Sequence, residues 1–100
     1  GQFYGHTHSD VFIVNTNPKA PEEITSFSML AGSLSPFGTG TSRFRVYELD
    51  EKSFGIKNYL DYELKLNEEN FGLNYEFKTY YNITNELINP SVMRSLQEKL

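Results

Sequence analysis

Apolar residues recur at every second position from Arg43 to Leu49 and again from Ile56 to Leu66, and past Asn67 they recur at every third or fourth. Strand side chains alternate between two faces, whereas helix side chains return to one face after about 3.6 residues. The change of period therefore puts strands first and helices last, an α+β order. In the first alternating run, Phe44 and Val46 stand opposite Arg43 and Arg45, and the arginine side is expected to be a solvated face. From Ile56 onward, Leu60, Tyr62, Leu64 and Leu66 share one side, and Asp61, Glu63 and Lys65 share the other. That predicts a strand covered on its leucine side and wet on its acidic side.

The remaining segments fill out this order. Gln2-Phe3-Tyr4 reads as a short strand interrupted by Gly5, and Val11-Phe12-Ile13-Val14 as a strand buried on both faces. Asn15-Thr16-Asn17-Pro18 is a turn signal, 19–23 a polar loop, 26–31 a further strand and 32–42 a loop. Asp50-Glu51-Lys52-Ser53 forms the next turn. Phe77, Tyr80, Tyr81, Thr84, Leu87 and Ile88 fall on one helical stripe, so Tyr75, Tyr80 and Tyr81 are expected to pack in the core. Asn89 is placed as N-cap and Pro90 as the first residue of a second helix, with Val92, Leu96 and Leu100 along one side. About five strands and two helices result, divided into a strand portion over 1–67 and a helical segment over 68–100 that packs on it.

Composition narrows the function. Apolar residues make up 38% of the 100 residues and aromatics 15%, which suits a globular chain. A net charge of -4 gives no basic field for phosphate backbones, so binding to a nucleic-acid polymer is not expected. There is no cysteine and hence no disulfide. No apolar run approaches the roughly 20 residues that cross a bilayer. The chain starts at Gly1, with neither a methionine nor a signal peptide, and is expected to be a piece of a longer polypeptide.

Chemistry concentrates at Gly5-His6-Thr7-His8. These are the only two histidines, and imidazole is a common ligand for zinc and related metals. In extended backbone, residues two apart face the same side, so His6 and His8 can face one cleft while Gly5 takes a positive φ and turns the chain. The same pair also fits two solvent-exposed histidines on a strand edge. Asp10 is placed either to orient a histidine through its carboxylate or to cap the turn. Asn82-Ile83-Thr84 is an N-glycosylation sequon, and on a helix Asn82 would face away from the apolar stripe.

The opening block Gln2-Phe3-Tyr4-Gly5-His6-Thr7-His8 resembles the last metal-binding motif of the calcineurin-like metallophosphoesterases. Ala31-Gly32-Ser33-Leu34-Ser35-Pro36, Arg45-Val46-Tyr47-Glu48-Leu49 and Tyr62-Glu63-Leu64-Lys65-Leu66 follow in an order similar to the acid sphingomyelinase and acid sphingomyelinase-like phosphodiesterase branch. Two stretches depart from that pattern. Residues 37–42 lack the Asn-Pro that often precedes the arginine strand, and Asn67-Glu68-Glu69 replaces a usual glycosylation signal.

The resemblance implies the C-terminal part of a four-layer αββα sandwich and a two-metal, zinc-dependent phosphodiesterase. By carry-over, His6 would bind one metal and His8 the other. The family's Asp-x-His, Gly-Asp and Gly-Asn-His motifs do not occur here, so the remaining ligands are expected elsewhere in the parent chain and this piece alone should be inactive. The implied substrate is a phosphodiester, sphingomyelin or a nucleotide, and a membrane lipid surface is an implied partner. A secreted or lysosomal location follows from the same resemblance. Two alternatives stand beside it: a non-catalytic β-rich binding module that needs no metal, and a metallophosphoesterase of another branch.

Overall fold

The computed structural model describes residues 1–36 and 41–100. Six strands precede two helices: β1 (Gln2–Tyr4), β2 (Val11–Asn17), β3 (Ala20–Leu30), β4 (Thr41–Leu49), β5 (Ile56–Lys65), β6 (Gly72–Glu76), α1 (Phe77–Tyr81) and α2 (Pro90–Lys99). The strands form two three-stranded sheets, ordered β1-β3-β2 and β4-β5-β6. In the first, β1 runs parallel to β3 and β2 antiparallel to it; the second is antiparallel throughout. The class is α+β, as the change of period implied.

One core joins the two sheets. Phe27 and Met29 of β3 pack with Ile56 and Tyr59 of β5, Phe77 of α1, Ile88, and Met93 and Leu96 of α2. Tyr59 stacks on Phe77 with ring centroids 4.6 Å apart. Each such side chain contributes about 1.5–3 kcal/mol through removal of apolar surface from water. α2 begins where expected: Asn89 accepts a hydrogen bond from the Val92 N–H at 2.9 Å, and Pro90 occupies the first turn, where a missing N–H costs nothing.

Several expectations are corrected. The β4–β5 hairpin is turned over: Phe44 and Val46 are exposed, while Arg45, Tyr59 and Asp61 point into the core layer. Leu60, Tyr62 and Leu64 are only half-buried, and Leu66 lies beyond the strand and exposed. β2 has one buried side rather than two, since Phe12 and Val14 meet the core and Val11 and Ile13 are exposed. Residues 20–23, expected as loop, extend β3, because the turn closes at once when Asn17 Oδ1 accepts the Lys19 N–H at 3.0 Å. Thr41 and Ser42 already belong to β4; the expected loop residues Phe37, Gly38, Thr39 and Gly40 lie outside the described residues.

The segment after residue 67 first forms a strand, β6, which completes the second sheet. The first helix then stops at Tyr81 instead of continuing to Ile88, because Asn82 takes a left-handed conformation (φ 56°). Beyond it, the Ile88 N–H donates to the Ile56 carbonyl at 2.7 Å, which pins Ile88 against the start of β5. In α2 the buried residues are Met93 and Leu96, and Leu100 is exposed. Tyr75 and Tyr81 pack against the core, but Tyr80 is exposed. Among the described residues, no helix is long and apolar enough to cross a membrane.

Candidate functional site

Tyr4 at the end of β1 and Val11 at the start of β2 both stand beside Leu30, on opposite sides of β3. Residues 5–10 therefore arch over the end of β3, and His6 and His8 sit on that arch. Its backbone is not extended, since both histidines have positive φ (73° and 58°). Gly5, where the positive φ was expected, does not adopt it. The left-handed region costs a non-glycine residue about 1–2 kcal/mol, although histidine visits it more readily than most. Local bonds hold the arch: the Thr7 N–H donates to the Gly5 carbonyl at 2.9 Å and the Ser9 hydroxyl to the Thr7 carbonyl at 3.2 Å.

Both imidazoles are exposed and, among the described residues, neither has a hydrogen-bond partner. Among the same residues, no three His, Cys, Asp or Glu side chains converge as a metal site. The arch thus exposes two imidazoles to solvent.

Asp10 closes the arch and faces the second sheet. One carboxylate oxygen accepts from Arg45 Nη2; the other accepts from the Tyr75 hydroxyl at 2.5 Å and lies 3.7 Å from Arg43 Nη1. The Arg45 side chain is 2% exposed. Its Nε reaches Asp61 at 3.4 Å, its Nη1 donates to the Tyr47 hydroxyl at 3.3 Å, and its guanidinium lies 4.3 Å above the Tyr59 ring. Asp61, fully buried, also accepts from Asn74 Nδ2 at 3.1 Å, and the Tyr59 and Tyr75 hydroxyls are 2.9 Å apart. Strand pairing brings these groups together: Arg45 lies opposite Asp61, Tyr47 opposite Tyr59, and Asp61 opposite Tyr75.

The titration of the cluster follows from burial and charge. Desolvation works against the Arg45 cation, but Tyr59, the Tyr47 hydroxyl and Asp10 outweigh it, so its pKa is raised and the side chain stays charged. Burial raises Tyr75, and its hydrogen bond to Asp10 raises it further. Burial also raises Tyr59 and Asp61; for Asp61 the Asn74 hydrogen bond and the Arg45 charge pull back without reversing the shift.

The structure places Asp10 on Arg45 and Tyr75 rather than on a histidine. It also overturns the solvated reading of the arginine face. The burial of Arg45 and Asp61 was missed because hydrophobicity alone assigns the Phe44/Val46 side of the hairpin to the core. One signal was present: pairing the strands around the Asp50–Ser53 turn sets both arginines opposite acids, Arg43 against Glu63 and Arg45 against Asp61. Asn82 is exposed, at the C-cap of α1 and not on a helix face. An apolar cleft of about 500 Å³, lined by Phe3, Phe27, Tyr47, Phe54, Ile56 and Leu87 among others, includes neither histidine nor Asp10.

No protein-family model matches the chain. Two curated proteins align with most of it. Sphingomyelin phosphodiesterase A of Dictyostelium discoideum is 32% identical over 89 residues, covering 83% of this chain and 15% of that protein. Cyclic GMP-AMP phosphodiesterase SMPDL3A of Bos taurus is 29% identical over 90 residues, covering 84% of this chain and 20% of that protein. The chain thus spans a fifth or less of the length of these curated relatives. Over the stretch it shares with them, the chain is similar to acid sphingomyelinase-like phosphodiesterases.

Proposed function

We propose that this chain contributes His6 and His8 as ligands to the two-metal, zinc centre of a phosphodiesterase, completed by other parts of the same polypeptide. The observation that carries the reading is the arch over β3, which presents two exposed imidazoles on left-handed backbone, without hydrogen-bond partners among the described residues. Strained, solvent-facing residues of this kind are uncommon and cluster at functional sites. Neutral imidazole nitrogens suit zinc, and a catalytic zinc takes about three protein ligands, more than this stretch supplies per metal. When bound, the metal pair lowers the pKa of a coordinated water and stabilises charge on the phosphoryl oxygens. The chain's own part is to hold His6 and His8 at the rim of the sheet, one for each metal, and to brace the arch through Asp10.

The substrate class in this reading is a phosphodiester, sphingomyelin or a nucleotide, after the names of the two relatives. Approach to a lipid surface, a secreted or lysosomal location and a glycan on Asn82 belong to the same proposal. So does the inactivity of the stretch by itself.

The test uses the full-length polypeptide encoded by the reading frame that contains this segment. It should bind about two metal ions per chain and hydrolyse a bis-phenyl phosphodiester. His6→Ala and His8→Ala should each lower metal content and abolish most of the activity. Variants that kept full metal content and activity would show the ligand assignment to be wrong.

A further inference from the structure

We propose that Arg45 is a positioning residue for the histidine arch, acting through Asp10 from the opposite sheet; this rests on the reading of His6 and His8 as metal ligands. Asp10 lies two residues beyond His8, where the arch passes into β2. Its carboxylate is held from two strands of the second sheet, by Arg45 of β4 and by the Tyr75 hydroxyl of β6. Arg45 is itself fixed at its other end by Asp61 of β5 and beneath by the Tyr59 ring. The guanidinium is thus a rigid strut between the sheets, its fork divided between one acid on the arch and one in the core layer. Among the described residues, nothing comparable braces His6 or His8 from within the arch, whose bonds span only two residues each.

Stability alone does not account for such a strut. A buried ion pair costs desolvation, and apolar residues of the same volume often do as well or better. A metal ligand, in contrast, must be placed to within a few tenths of an ångström, and groups that fix ligands from behind typically change metal affinity about 10- to 100-fold when removed. Asp10 is the point at which the arch meets the strut. Its displacement would carry His8 with it.

Zinc titration of the metal-stripped full-length polypeptide by calorimetry tests this, with zinc ion alone as the probe. Arg45→Met and Asp10→Asn should each weaken zinc binding roughly 10- to 100-fold. The double variant should be no weaker than the poorer single, because both changes cut the same link. Tyr75→Phe, which removes only a hydroxyl, should weaken zinc in the same direction. If Arg45→Met does not fold, Arg45→Lys replaces it; the lysine keeps the charge but cannot reach both acids, so the same loss is expected. Additive losses in the double variant would overturn the proposal, since Arg45 would then act independently of Asp10. Wild-type affinity in the Arg45 and Asp10 variants, with zinc lost in His8→Ala, overturns the strut alone. Wild-type affinity in His8→Ala overturns the ligand reading with it.

Discussion

Asp61 gives up all of its hydration in the folded chain, and this raises its pKa despite Arg45 and Asn74 alongside. An acid whose folded pKa lies above its unfolded value binds more protons in the native state between the two. Its contribution to stability is therefore present at low pH and declines as pH rises through that window. Asp61→Asn removes the decline while keeping an oxygen for Arg45 Nε, and the Asn74 amide can turn its own oxygen to meet the new NH₂. Urea midpoints measured at about pH 4 and about pH 7 should show the variant gaining on the parent as pH rises. A variant that loses ground over that interval would refute the assignment. At this scale the sequence was only partly legible. The role proposed for His6 and His8 rests on residue type and spacing, whereas the burial of Arg45 depends on which side of the hairpin meets the other sheet. Phe44, Val46, Leu60 and Tyr62 outweigh Arg45 and Asp61 in hydrophobicity, so a single strand pair read alone points the wrong way.

Elements were legible where their signals are local. Asn89-Pro90 starts α2 because the cap and the proline act within one turn. The end of α1 was not, because the bond between Ile88 and Ile56 joins residues far apart in sequence and competes with further helix. β6 was hidden for a related reason: Gly72 to Glu76 is short and exposed at its start, and only pairing with β5 defines it. Asn82 ends the helix in the left-handed region, where glycine is free of strain and alanine is not. Asn82→Ala should therefore cost about 1 kcal/mol, and Asn82→Gly close to nothing, as read from unfolding midpoints. The glycine variant also removes the sequon without disturbing the cap. Secreted from eukaryotic cells, it should run lighter than the parent by the mass of one glycan; equal masses would rule out modification of Asn82.

Across the whole molecule, burial is one-sided. The layer between the sheets holds Phe27, Met29, Tyr59, Phe77 and Met93, while the outer face of the second sheet carries Phe44, Val46 and Leu73, the last two 45% and 57% exposed. Val11 and Ile13 leave a second apolar surface on the outside of the first sheet. Soluble monomers seldom expose contiguous apolar patches beyond a few hundred Å². The outermost strands β4 and β6 form the margins of the second sheet, and sheet edges are a further route to association. The isolated chain should therefore self-associate in sedimentation velocity, and Val46→Lys with Leu73→Lys should shift it toward monomer. Because both side chains already face water here, the unfolding midpoint of the isolated chain should change by only about 0.5 kcal/mol per site. In the full-length polypeptide the outcome should differ: if other parts of the chain cover this face, a buried lysine there costs several kcal/mol. Lysines harmless in both contexts would mean that the outer face of the second sheet is left open to solvent. Lysines tolerated only in the isolated chain would show that the exposed apolar layer is an interior surface of the larger protein, lying on the far side of the sheet from Arg45 and the histidine arch it supports.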